Sequence, residues 1–321
     1  MILSNHFIIK MSFKQLLTKP CMQLRCSDIT SFTQKSILRA KNDINNKLRE
    51  TILGEILTLS NNYLEDPIYG SQWQHLQHQW KTSIETLSVM QYDRIEIEPK
   101  GGRGYYYDFL VRYFKTHSDS EVLMDEKKIE FKHHCHTLDR LPQFLSLPTK
   151  CGFFPKDYAE YYYENYLKRY MQLDPSLTEM PSKEDYLKYV YTTQYDRLPL
   201  FRQMYDHEST NKKEKHKLVN ESIKMYLQTY IETIDLETIQ TKIKESQMYK
   251  HYFLWDLHQF HIDEFKEHDF ANLTFIEIKN NNVIVLKTST SIFHLLLRWR
   301  NHKGILMPAW QISLKNRNHF L

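Results

Sequence analysis

The spacing of apolar residues changes near residue 90, and this change constrains the fold more than any other feature of the sequence. In residues 36–60 apolar side chains recur at mostly four- and seven-residue steps, and residues 73–87 repeat this spacing after a Pro and Gly interruption. Such a period predicts two amphipathic helices. In residues 94–98 the period falls to two, which is typical of a strand. The sequence therefore predicts a mixed α/β fold.

Three strands are predicted to follow one another with short connections. Residues 94–98 form the first, residues 105–114 the second after a glycine-rich turn, and residues 127–133 the third after a polar loop. Consecutive strands joined in this way favour an antiparallel meander.

Charged residues occur at positions of these strands where a purely structural role would be costly. Asp108 interrupts an otherwise apolar strand, which is expensive unless its carboxylate binds something. Glu130 and Lys132 share one face of the third strand, and Phe131 between them is predicted to be buried on the other face. We therefore predict that Asp108, Glu130 and Lys132 meet at one site.

Two carboxylates and a lysine are suited to metal-dependent phosphodiester cleavage. That reaction needs a hard divalent cation, Mg²⁺ or Mn²⁺, held by oxygen ligands that Asp108 and Glu130 can supply. Lys132 would add a point charge that orients or deprotonates the attacking water and compensates the scissile phosphate.

These residues resemble the motif of the PD-(D/E)xK restriction-endonuclease-like nucleases. The match consists of Asp108 followed, after a hairpin-sized gap, by Glu130-Phe131-Lys132, while the motif's Pro is displaced. The resemblance implies an αβββαβ core, a central mixed sheet flanked by helices, a divalent-metal site and DNA cleavage. Residues 141–147 and 297–312 also resemble restriction-endonuclease-like proteins of large nucleocytoplasmic DNA viruses.

Accessory site residues are predicted by the same resemblance. Many family members place a further acidic ligand on the first helix, and Glu55 lies closer to the apolar stripe of that helix than Glu50 does. Gln143, a few residues after the third strand, is predicted to contact the water or the phosphate. Glu96 and Glu98 on the first strand remain alternative metal ligands.

Contacts to nucleic acid are predicted from basic and histidine side chains near the site and near the C-terminus. Arg298 and Arg300 share a strand face and are suited to phosphate or guanine contacts. The full predicted set is Arg103, His134, Arg298, Arg300 and Lys303.

The remainder of the chain suggests four segments. Residues 1–30 are predicted to be a leader or arm, residues 31–150 the nuclease core, residues 151–265 a helical insert, and residues 266–321 a β-rich segment that completes the core domain. The last segment has hairpins with turns at 280–282 and 301–304. Pro308 is predicted to restrict its strand to an edge or a bulge.

Charge and cysteine content set broad limits on the class of protein. The net charge of +4 does not by itself establish nucleic-acid binding, and the basic cluster at residues 212–217 is interpreted as a solvated face. Four cysteines, no signal-peptide pattern and no run of apolar residues long enough for a membrane span predict an intracellular protein, cytoplasmic or in the nucleus or a viral factory.

Two alternatives compete with the nuclease interpretation. Residues 133–136, His-His-Cys-His, suggest zinc, but neighbouring residues of a strand point to opposite faces. The other alternative is a non-catalytic nucleic-acid-binding or virion-associated protein that retains the fold. A homodimer on palindromic DNA is compatible with the nuclease hypothesis, and the sequence leaves the oligomeric state open.

Overall fold

The structure, a computed structural model, describes residues 6–9, 24–34, 39–100, 105–117, 120–141, 145–147, 149–150, 152–192, 194, 197–301 and 304–317. The chain divides into two compact units, each built from two separate stretches of sequence. The first unit comprises Met1–Leu138 and Gln247–Phe265, and the second comprises Asp139–Ser246 and Lys266–Leu321.

Helices and strands are numbered in chain order. The helices are α1 Thr30–Thr33, α2 Arg39–Glu55, α3 Asn61–Leu64, α4 Gly70–Glu85, α5 Tyr158–Tyr162, α6 Lys168–Gln172, α7 Lys183–Tyr191, α8 Pro199–Asp206, α9 Lys212–Tyr230 and α10 Leu236–Gln247. The strands are β1 His6–Ile9, β2 Arg94–Pro99, β3 Phe109–His117, β4 Ser120–His133, β5 Leu145–Leu147, β6 His251–Trp255, β7 Phe260–Asp263, β8 Thr274–Lys279, β9 Val283–Lys287, β10 Ser291–Asn301 and β11 Leu306–Arg317. Among these helices none is both long and apolar enough to cross a lipid bilayer.

A mixed sheet forms the centre of the first unit, with the order β1-β2-β3-β4-β6-β7. β2, β3 and β4 form the predicted antiparallel meander. β6 pairs with β4 in parallel, and β7 pairs with β6 in antiparallel orientation. The predicted α/β class with a central mixed sheet and flanking helices is therefore confirmed.

The two faces of this sheet differ in character. One face packs against the apolar sides of α2 and α4 and buries a core that includes Trp80, Val111, Phe131 and Phe253. Residues of alternate parity, among them Glu130, lie on the opposite face. The alternation of β4 thus places Phe131 in the core and the neighbouring charged residues away from it.

The predicted boundary of the helical insert is wrong at residues 247–265, which belong to the first unit. They were assigned to a helical insert, but residues 251–265 contribute β6 and β7 to the sheet of the first unit. The run Tyr-Phe-Leu-Trp in β6 is buried without alternation, as expected for a strand covered on both faces. β6 pairs with β4 although 117 residues separate the two strands in the sequence, from 134 to 250.

An antiparallel sheet organises the second unit, in the order β5-β11-β10-β9-β8. Both predicted C-terminal hairpins are present, and Asn280 and Asn281 adopt the positive φ angles of 51° and 60° that their turn requires. Residues 266–321 were predicted to complete the core domain. They instead group with residues 139–246, partly because β11 pairs with β5.

The basic cluster on α9 is not wholly a solvated face. Lys215 is buried, and its Nζ atom lies 2.5 Å from Oδ2 of the buried Asp174. Lys212, Lys213 and Lys217 are exposed, as predicted. Lys215 falls one turn before the buried Leu218, so it faces the interior, where a carboxylate compensates its charge.

Candidate active site

Asp108, just before β3, makes two hydrogen bonds to β4 and one to Lys100, just after the end of β2. Its backbone N–H donates to the Ile129 carbonyl at 2.8 Å, and its carbonyl accepts from the Lys100 N–H at 2.7 Å. Its side-chain Oδ2 accepts the Phe131 N–H at 2.9 Å. The carboxylate therefore contacts the backbone of the residue that separates Glu130 from Lys132.

Glu130 is buried and is flanked by two ammonium groups. Lys132 Nζ donates to Glu130 Oε1, and Lys250 Nζ lies 3.4 Å from Glu130 Oε2. Lys132 remains partly exposed, with 27% of its side chain accessible. The structure thus brings together Asp108, Glu130 and Lys132, the three residues that the sequence placed at one site.

Lys250 is the member of this cluster that the sequence analysis missed. It precedes β6, its side chain is 3% exposed, and its Nζ donates to the Tyr106 carbonyl at 2.6 Å. It lies 120 positions after Glu130 in the chain. Only the parallel pairing of β6 with β4 brings the two together, and no local pattern signals that pairing.

The pKa values of neighbouring groups in this cluster are shifted in opposite directions. Burial, followed by repulsion from Glu130, raises the pKa of Asp108. Burial also acts to raise the pKa of Glu130, but Lys132 and Lys250 outweigh it and hold that pKa below its usual value. Burial lowers the pKa of Lys250, whereas Glu130 and Asp108 overcome burial at Lys132 and raise its pKa.

Glu50 of α2 acts on this cluster through its charge. The charge of Glu50 raises the pKa values of both Asp108 and Lys132, whereas that of Glu55 acts on Tyr63. The prediction of Glu55 took Ile52 as the centre of the buried stripe. Because Arg49 is also fully buried, the stripe is shifted toward Glu50.

The alternative ligands Glu96 and Glu98 on β2 are engaged by basic side chains. Arg112 Nη1 lies 3.4 Å from Glu96 Oε1 and 3.1 Å from Glu98 Oε2, and Lys100 Nζ lies 2.7 Å from Glu98 Oε1. Burial favours a higher pKa of Glu98, but these cations hold it below its usual value. This pair therefore belongs to an ion-pair network.

Three of the five predicted nucleic-acid contacts fall within the described residues. His134 is exposed but lies past the end of β4 with a φ of 61°, so the strand alternation that placed it beside Lys132 no longer applies. Arg298 and Arg300 are partly buried on β10 of the second unit. Arg103, Gln143 and Lys303 lie outside the described residues.

Among the described residues, the His-His-Cys-His segment belongs to no group of three His, Cys, Asp or Glu side chains that could hold a metal ion. The His133 ring lies 3.4 Å from the Phe32 carbonyl, and burial lowers its pKa to about 3. Cys135 is buried, and burial raises the pKa of its thiol to about 11.

Among the described residues of this site, carboxylate oxygens are the ligands available to a cation. Within the part of the chain that the structure describes, no three His, Cys, Asp or Glu side chains are grouped to hold a metal ion. Mg²⁺, however, is commonly held by one or two carboxylates, with water and substrate phosphate as its other ligands. Asp108 and Glu130, with Glu50 acting through its charge, fit that mode.

Comparison of the chain with protein-family models, with curated proteins and with solved structures found no match in any of the three.

Proposed function

We propose that this protein is a divalent-metal-dependent endonuclease that hydrolyses DNA phosphodiester bonds. The observation that carries the proposal is the 2.9 Å hydrogen bond from the Phe131 N–H to Asp108 Oδ2. It holds one carboxylate against the short stretch of β4 that carries both a second carboxylate and a lysine. Such a group of charges matches the needs of phosphoryl chemistry.

Each side chain has a defined task in this proposal. Asp108 and Glu130 hold Mg²⁺ or Mn²⁺, which when bound supplies an activated water and stabilises charge on the phosphate. Lys132 is the partly exposed cation of the site and compensates the charge on the scissile phosphate. The Phe131 N–H keeps the Asp108 carboxylate in its orientation.

The direct test is plasmid cleavage by the purified chain. Wild-type protein is expected to nick or linearise supercoiled DNA with Mg²⁺ or Mn²⁺ but not with EDTA, and Asp108→Asn is expected to abolish this activity. Asp125→Asn, which alters a β4 carboxylate paired with Lys127, serves as the matched control and should keep it. Equal cleavage by wild type and Asp108→Asn would contradict the proposal. DNA binding without cleavage under either metal would favour the non-catalytic alternative.

A comparison of the two α2 glutamates tests the correction at this helix. Glu50→Gln should weaken Mn²⁺ binding by about three- to tenfold, because it removes a negative charge that acts on Asp108 and Lys132. Glu55→Gln should leave the affinity unchanged. The measurement is the loss of the free-Mn²⁺ signal in electron paramagnetic resonance. A larger effect for Glu55 would restore the original prediction.

A further inference from the structure

Lys250 is buried too deeply to contact a substrate, yet it lies beside a proposed metal ligand. Its side chain is 3% exposed, compared with 27% for Lys132. Its principal partner is the Tyr106 carbonyl, 2.6 Å from Nζ, and Glu130 Oε2 is more distant at 3.4 Å. The ammonium is therefore fixed by the backbone and supplies its charge to Glu130 from a short distance.

A divalent cation bound to Glu130 would be repelled by the fixed ammonium of Lys250. Mg²⁺ binds carboxylate oxygens at about 2.0–2.1 Å, which would place it near the Lys250 ammonium. Repulsion between a divalent and a monovalent cation about 5 Å apart is worth roughly a tenfold change in affinity, even at the dielectric constant of water. The ammonium cannot turn out to solvent without abandoning the Tyr106 carbonyl.

We infer that Lys250 is a built-in competitor of the metal ion: it neutralises Glu130 in the metal-free protein and lowers the affinity of the site for divalent cations. This inference rests on the proposed function, since it takes Glu130 as a metal ligand. Under this inference, Lys250 sets the concentration of divalent cation at which the site becomes occupied. Lys132, which is partly exposed, has a different task.

The test is a titration of the full chain with Mn²⁺, followed through the electron paramagnetic resonance of the free ion. Lys250→Met should bind Mn²⁺ about tenfold or more tightly than wild type. A merely structural role would instead leave the affinity unchanged or weaken it. Lys250→Gln provides a second variant, because it removes the charge but can still donate to the Tyr106 carbonyl. Thermal unfolding establishes that each variant is folded.

Lys115→Met is the matched control. It removes an ammonium of the same unit that lies 3.4 Å from Asp93, the same separation as in the Lys250 pair, but near the other end of β3 from Asp108. It should not change Mn²⁺ affinity.

Unchanged or weaker binding by folded Lys250 variants would overturn the inference while leaving the nuclease proposal intact. If neither wild type nor any variant bound Mn²⁺, both the nuclease proposal and this inference would fail. Binding by the Lys250 variants alone would support the inference.

Discussion

Lys132→Met is expected to lower the rate of metal-dependent DNA cleavage by about 10²–10⁴-fold. The substitution removes the ammonium that, among the described residues, both contacts Glu130 and is partly exposed to solvent, so the phosphate would lose its compensating charge. Metal affinity should not fall, because the change deletes a cation and keeps both carboxylates. The measurements are single-turnover cleavage of a labelled duplex and Mn²⁺ binding to the same preparation.

Two further variants distinguish the loss of the Lys132 charge from a general loss of activity. Asp108→Asn should lose both cleavage and metal affinity, whereas Lys132→Met should lose cleavage alone. Lys127→Met removes a lysine from the opposite face of β4, where it pairs with Asp125, and should cleave at the wild-type rate. Rapid cleavage by Lys132→Met would show that this lysine has no part in the reaction.

Lys215→Met is expected to destabilise the second unit by about 3–5 kcal/mol, because it leaves the Asp174 carboxylate buried without its counter-charge. Lys215 also donates to the His207 carbonyl at 2.9 Å, so the substitution breaks a second buried contact. Chemical denaturation followed by circular dichroism measures the loss. Lys217→Met, two residues further along α9 and exposed, should change stability by less than about 0.5 kcal/mol.

The pH dependence of the same pair has a defined sign. Burial acts to raise the pKa of Asp174, but Lys215 and Ser176 outweigh it and hold the pKa below its usual value. The wild-type pair therefore stabilises the fold above the unfolded-state pKa, near 3.9, and this contribution is lost as pH falls through the folded-state pKa. In Lys215→Met the carboxyl is easier to protonate, so the deficit should shrink between pH 7 and pH 4. A deficit independent of pH would show that lost packing, not charge, is responsible.

Local periodicity was sufficient to predict the parts of the fold that depend on neighbouring residues. α2, α4, the β2–β4 meander and both C-terminal hairpins follow from spacing and turn residues alone. The meeting of Asp108 with Glu130 and Lys132 follows from the same logic, since β3 and β4 are consecutive and side chains alternate along them.

Predictions failed where a distant partner decides the outcome. The Tyr-Phe-Leu-Trp run of β6 has no period of its own, and its strand identity depends on pairing with β4. Arg49 and Lys215 are charged, so neither was counted as buried. Arg49 donates to the Ser31 carbonyl and Lys215 to Asp174, groups that the sequence does not place nearby. Such compensation is a property of three-dimensional packing.

The insertion of residues 139–246 between β4 and β6 has a consequence for synthesis. A nascent chain released only as far as Leu138 already contains both proposed metal ligands and Lys132, but its sheet still lacks the neighbouring strand and the ammonium beside Glu130. Parallel pairing across so long an excursion is slow to form. The sheet of the first unit can therefore be completed only after residues 247–265 have been synthesised, so Lys250 joins Glu130 late in synthesis.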